Sequence, residues 1–222
     1  QPEEMEKIVA GQRESNLEEL NWLKPGMSWS PDGDKLAFAA RARGEDAIHI
    51  YSFEQDKIVD MYKFGLDGLH APKWSPALDE IAFVGIDDGQ SDIYVYNLQA
   101  DSLRKITDDI FSDMQPSWSP DGEYLAFVSD RKANVEPPAM RDSIAILDID
   151  YQTTDIYRVQ KNGAGLERLT ENDFQDKSPT WAPDGQRLLF ISDRTGIENI
   201  YVLDVETGEQ EPITNLLTGI AQ

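Results

Sequence analysis

Asp and Glu supply 42 of the 222 residues, so carboxylates are the most abundant reactive groups in this chain, and only placement can single any of them out. Two placements do. Asp113 and Asp176 each stand five residues before a tryptophan, within Phe111-Ser-Asp-Met and Phe174-Gln-Asp-Lys. Carboxylates converging on one point can hold a hard cation such as Ca²⁺, so these two are the metal candidates. Asp130-Arg131 and Asp193-Arg194 recur after equivalent apolar runs. A repeated charged pair either ties neighbouring elements together or forms a polar ring that contacts a partner, and these four residues are the partner-binding candidates. Other chemistries lack their residues. With no cysteine there is no disulfide, no thiol nucleophile and no thiolate metal site. His49 and His70, one on an apolar run and one in a linker, share no metal-ligand spacing. The sequence holds no Gly-x-Ser-x-Gly elbow, no His-Glu-x-x-His helix and no phosphate-cradling Gly-rich loop. It therefore reads as non-catalytic, with no organic cofactor implied.

Charge narrows the partners. Twenty Lys and Arg against 42 Asp and Glu leave a net charge of −22. Phosphate backbones and anionic membrane surfaces both need positive faces, which argues against nucleic acid and against membrane docking. No apolar run approaches the roughly 18 residues of a bilayer span, and Gln1 to Ala10 has no signal-peptide core. What remains is a protein or peptide partner, with a basic one favoured by the field. The same acidity also serves plain surface solvation or life in salt.

The elements that must position these residues come from an internal repeat. Trp29, Trp74, Trp118 and Trp181 recur at nearly equal intervals except for a longer last one, and each is followed by a Ser-Pro or Ala-Pro turn. Three of the turns read Pro31-Asp32-Gly33, Pro120-Asp121-Gly122 and Pro183-Asp184-Gly185; the second has Ala77-Leu78 instead of Asp-Gly. Proline presets φ at a turn corner and glycine accepts positive φ after it, so the motif predicts a tight hairpin. Apolar runs follow at Leu36–Phe38, Ile81–Phe83, Leu125–Phe127 and Leu188–Phe190. A further strand begins at one fixed distance past Trp29, Trp74 and Trp181, at Ala47, Asp92 and Asn199. In the third repeat its counterpart, Asp155, stands farther from Trp118, and the excess equals the lengthening of the last tryptophan interval. An insertion is therefore predicted over 132–154, carrying Pro137-Pro138 and a strand-like run at Ile144–Ile149. Fourth strands are expected at Lys57–Tyr62, Leu103–Thr107, Leu166–Thr170 and Gln210–Thr214.

Four short strands in each repeat of about 40–45 residues make an all-β fold, a β-propeller. The repeats divide the chain into four four-stranded blades at about 22–65, 66–109, 110–172 and 173–216, in one propeller segment spanning 1–222. The tryptophans are read as structural wedges between neighbouring sheets. The Trp-Ser-Pro-Asp-Gly turns, the Leu-Ala-Phe strands, the Ser129-Asp130-Arg131 and Ser192-Asp193-Arg194 endings and the Ile-Tyr-Val third strands resemble the WD40-like (PD40) repeats of TolB-type propellers, from about Met5 to Ile213. That resemblance implies a ring of usually six blades and a periplasmic or cell-envelope protein that contacts a peptidoglycan-associated lipoprotein. Similar repeats also occur in prolyl-oligopeptidase-type and tricorn-like serine peptidases, where such a propeller gates or filters substrate.

Residues 1–12, with Met5–Ala10, read as the outer strand of a preceding blade, or as the strand that closes a four-bladed ring. The end, Ile213 to Gln222, matches the linker that elsewhere precedes a Trp-Ser-Pro turn. An open array of four blades exposes apolar faces and strand edges. The segment alone is therefore expected to self-associate, as light scattering after size exclusion will read; a clean monomer at high concentration is the contrary result.

Overall fold

A computed structural model of the chain describes residues 19–20, 26–131 and 153–218, and every regular element among them is a β-strand. The outer strand expected in residues 1–12, and the body of the insertion with Pro137-Pro138, lie outside the described residues.

The strands form four antiparallel sheets in chain order. In the first sheet, β1 (Glu19–Leu20) and β2 (Met27–Trp29) share one edge of β3 (Lys35–Ala42), which continues to β4 (Glu45–Ser52) and β5 (Lys57–Tyr62). The second holds β6 (Gly68–Trp74), β7 (Glu80–Asp87), β8 (Gln90–Asn97) and β9 (Ser102–Lys105). The third holds β10 (Asp113–Trp118), β11 (Tyr124–Ser129), β12 (Asp155–Gln160) and β13 (Glu167–Arg168). The fourth holds β14 (Asp176–Trp181), β15 (Arg187–Ser192), β16 (Asn199–Asp204) and β17 (Gln210–Pro212).

Register repeats from blade to blade. Phe83 faces Tyr94, Phe127 faces Tyr157 and Phe190 faces Tyr201, with His49 taking the tyrosine position opposite Phe38. Ser129 pairs with Asp155, so the long connection between these two adjacent strands is accommodated without moving the pairing. The middle strands of the first three sheets are buried on both faces because each is covered by the next, whereas those of the fourth alternate buried and partly exposed residues. Ala82, Val84, Ile93 and Val95 of the second sheet pack against Trp118, Leu125, Phe127 and Tyr157 of the third. Ala126, Val128 and Ile156 do the same against Leu188, Phe190 and Tyr201 of the fourth.

The hairpins form as the motif requires. Gly33 and Gly122 donate backbone N–H bonds to the Ser30 and Ser119 carbonyls at 2.9 Å, and Gly185 donates to Ala182 at 3.0 Å. The aspartate accepts from the backbone two residues on, Asp121 from Glu123 at 3.0 Å and Asp184 from Gln186 at 2.9 Å. These three glycines have φ between 68° and 76°. Gly33 has open space around a would-be Cβ, whereas at Gly122 that atom would lie 2.9 Å from Ser75 Oγ and 3.2 Å from Leu78 of the preceding blade. Gly33→Ala is expected to cost about 1 kcal/mol in urea denaturation through backbone strain alone. Gly122→Ala should cost measurably more, because its turn is also pressed against the neighbouring blade.

The innermost strands of the second, third and fourth sheets are each broken at one place, three residues before the tryptophan. Ala71, Gln115 and Ser178 all have positive φ, of 52°, 54° and 55°, at the bulges in β6, β10 and β14. The bulges bring successive blades into direct contact. Ser178 donates its backbone N–H to Gln115 Oε1 at 2.7 Å, and a Cβ on Gly26 would lie 2.4 Å from Ala71 Cα.

Candidate functional site

The repeated charged pairs are engaged inside their own blades. Arg131 follows β11 and is fully buried. Its Nη2 reaches Asp113 at 2.5 Å and Asp109 at 3.0 Å, and its Nε donates to Ser129 Oγ at 2.8 Å. The guanidinium lies 5.6 Å from the Phe111 and Phe127 ring centres and 5.4 Å from that of Tyr157. The guanidinium offers Nη2 to both carboxylates, Nε to Ser129 and a flat face to the rings at once. Asp130 points the other way, accepting from the Ser112 backbone N–H at 2.9 Å and pinning the loop that leads into β10.

The fourth blade repeats the arrangement with looser cover. Arg194 meets Asp176 at 3.3 Å, Gln210 at 2.7 Å and Ser192 at 2.9 Å, and lies 4.4 Å from the Tyr201 ring centre. Asp193 accepts from Gln175 N–H at 2.9 Å, as Asp130 does from Ser112. Of the two roles the sequence offered, Arg131 and Asp130 show the tie between elements, and Asp193 and Arg194 remain partly exposed. The Asp130 and Arg131 side chains are both buried, Asp130 on the Ser112 N–H and Arg131 through Nη2 and Nε, while Arg131 Nη1 has no hydrogen-bond partner among the described residues.

Asp113 and Asp176 belong to different blades, and both are fully buried as the first residues of their strands. Each is held by the arginine of its own blade. Burial pushes the Asp113 carboxyl up, against the pull of Arg131. Among the described residues no group of three or more His, Cys, Asp or Glu is placed to hold a metal ion. In the second blade the same strand position carries Leu69, opposite Gly85, and the polar unit gives way to apolar packing with Leu66 and Tyr94.

A second repeated unit was not anticipated from sequence. Asp92, Asp155 and Asn199 stand at or near the start of the third strands, and each accepts from the hydroxyl of a threonine two residues beyond the fourth strand, Thr107 at 3.3 Å, Thr170 at 3.2 Å and Thr214 at 3.0 Å. The same hydroxyls receive the backbone N–H of Ile93, Ile156 and Ile200 at 2.9–3.0 Å. Lys105 and Arg168 neutralise the first two carboxylates, at 2.9 Å and 2.6 Å. The recurrence of Asp or Asn before Ile-Tyr, with a Thr shortly after each fourth strand, was the available signal.

His70, expected in a linker, lies inside β6, and His49 lies in β4; both are buried. The His49 ring stacks on Phe38 with centroids 5.4 Å apart. Burial pushes its imidazole below the ordinary histidine value of 6.5. The unfolded chain takes up a proton as pH falls below about 6.5 and the folded chain does not, so stability is complete above that pH and is lost below it. The slope from this residue is at most about 1.4 kcal/mol per pH unit. Denaturation midpoints at pH 7.5 and 5.5 are expected to differ more in the parent chain than in His49→Gln.

The described blades also build a concave wall at the turn end of the innermost strands. A groove of about 360 Å³ runs across the second, third and fourth blades, lined by Trp74, Trp118 and Trp181 with Pro76, Pro120 and Pro183. Lys73, Ser117, Pro179 and Thr180 complete it. Trp118 is anchored by an indole N–H bond to Lys73 O at 2.9 Å, across the blade boundary.

Residues 9–136 match the family described as TolB beta propeller domain (PD40). The chain is 29% identical over 114 residues to the uncharacterized peptidase YuxL of Bacillus subtilis, a match covering 51% of this chain and 15% of that protein. It is 27% identical over 135 residues to a TolB homolog of Chlorobium luteolum, covering 49% of this chain and 30% of the other. A solved TolB structure from Acinetobacter baumannii superposes with a TM-score of 0.63 at 22% identity, over 85% of this chain and 43% of the other, a likeness of fold. The chain thus spans less than half the length of each of these relatives.

Proposed function

The chain belongs to the TolB β-propeller family, and from that premise we propose that it serves as a non-catalytic protein-interaction platform in the bacterial cell envelope, working in the periplasm as part of a larger ring. The observation that carries this reading is the use made of the charged repeats. Arg131, Asp113, Asp155 and Arg168 are engaged by their own blade, which suits a scaffold whose function lies on its surface. A net charge of −22 favours a basic protein or peptide as partner, with binding that weakens in salt.

One comparison favours a second reading, in which the segment is the substrate-filtering propeller of a larger serine peptidase: the match to YuxL. A single experiment on the full-length protein separates the two. Photo-crosslinking in intact cells, followed by a fluorophosphonate probe on the purified protein, should give a crosslinked protein partner and no covalent label. A labelled serine outside these 222 residues would replace the platform with the peptidase. Absence of both crosslink and label would overturn both readings.

A further inference from the structure

We propose that Asn162 is a covalent ageing site: in the folded chain it converts to aspartate and isoaspartate, and the isoaspartate opens the turn that joins β12 to β13. The inference goes beyond the platform reading and stands whatever the chain binds.

Residue type and turn act together. Asn162 is the asparagine of this chain that is followed by glycine, so no side chain crowds the backbone nitrogen that would attack it. It is exposed at the tip of the hairpin, where water and hydroxide reach it. Its carboxamide is also held in place, because the Ala164 N–H donates to Asn162 Oδ1 at 2.9 Å. That bond closes a small ring containing both Asn162 Cγ and the Gly163 nitrogen, which keeps the two reacting groups together. It also puts a donor on the oxygen that gains negative charge during the attack. The opposing contact is a single bond, from the Gly163 N–H to the Gln160 carbonyl at 2.8 Å. It lies at the exposed end of a hairpin, so it opens by local fraying. Asn172 supplies the contrast. Its Oδ1 accepts from the Phe174 N–H at 2.9 Å in the same way, but Asp173 follows it and its Nδ2 is tied to Asp176 at 2.8 Å.

The chemistry needs only water. The Gly163 nitrogen gives its proton to hydroxide and attacks Asn162 Cγ; the new N–Cγ bond forms, the Cγ–Nδ2 bond breaks, and ammonia leaves with a proton from water. The cyclic imide then takes up one water and opens to aspartate or, at its other carbonyl, to isoaspartate. Isoaspartate runs the main chain through the side-chain carbon and inserts a methylene into the turn. The turn is poorly placed to absorb it. Gly163 sits at φ 88°, and a Cβ there would lie 3.1 Å from Ile106 O of the second blade. The Gln160 N–H bond to Ala164 O, at 2.9 Å, closes the hairpin and is the bond expected to go.

The test stores the folded chain at alkaline pH and maps its peptides by mass spectrometry for replacement of NH2 by OH, with an isoaspartyl methyltransferase to separate the two products. Conversion at Asn162 is expected at least about tenfold faster than at Asn172. Amide exchange at Gln160 should be at least about tenfold faster in the isoaspartate fraction than in fresh protein. Gly163→Ala should slow conversion by a similar factor; since that turn is strained by any Cβ, the comparison with Asn172 in the parent chain carries the decision. An unmodified Asn162 in the folded chain overturns the proposal, and its conversion only in urea would show that the Gln160 bond shields it. Equal rates at Asn162 and Asn172 overturn the role of glycine and turn. Unchanged Gln160 exchange in the isoaspartate fraction overturns the opening.

Discussion

Replacing Arg131 with leucine is expected to destabilise the fold by about 3–5 kcal/mol and to lower Tm on the order of 10 °C. The residue has no exposed surface, and its guanidinium is the cation facing two carboxylates, Asp113 at 2.5 Å and Asp109 at 3.0 Å. Truncating it leaves both acids buried without a counter-charge, and a buried charge without a partner is far worse than no charge. Leucine still covers the Phe127 and Tyr157 rings, so lost packing is the smaller part. The distinguishing measurement is recovery. The second blade runs the same position with Leu69 and no arginine, so the triple variant Asp109→Asn, Asp113→Leu, Arg131→Leu should regain more than half of the loss in urea denaturation. A single-variant cost below about 1 kcal/mol would mean that water reaches the guanidinium and that the burial argument is wrong.

The second large effect separates two tryptophans that the repeat makes equivalent. Trp118→Ala should cost about 3–5 kcal/mol, since it empties a volume packed against Ala82, Val84, Ile93 and Val95 of the preceding blade and deletes the bond to Lys73 O. Trp118→Phe keeps most of the volume and loses the bond, and is expected at about 1–2 kcal/mol. Trp29 is 56% exposed and stacks on Phe53 with centroids 4.9 Å apart. Trp29→Ala should therefore cost less than about 1 kcal/mol. Equal costs at the two positions would show that the wedge acts within its own sheet rather than between blades.

Much of the architecture was legible in the residues because its interactions are local. A Pro-Asp-Gly turn needs only its own corner residues and the serine or alanine before it, so the hairpins at Gly33, Gly122 and Gly185 could be placed from spacing. Pairing between strands a turn apart follows the alternation of apolar residues, and a one-residue slip would turn every core side chain outward. The lengthened interval in the third repeat located the insertion for the same reason: Phe127 must still face Tyr157. Even the threonine latch on Asp92, Asp155 and Asn199 lies within one blade and had a repeating signature.

The environment of each charge was decided only in three dimensions. Asp130 and Arg131 are adjacent in the chain, yet one pins a loop and the other is sealed among three aromatic rings. A dipeptide carries no information about which side of a strand end its neighbours cover. The same holds for Asp113, Leu69 and the four tryptophans, whose burial depends on the adjoining blade. The groove is the extreme case: its indoles are a whole repeat or more apart in the chain and become neighbours only when blades stack. Spacing and residue type determined the strands, the turns and the repeat, since those rest on hydrogen bonds between nearby residues. Contact between blades determined which side chains are buried, which are paired and which surface is left open to a partner, because desolvation is set by what packs on top.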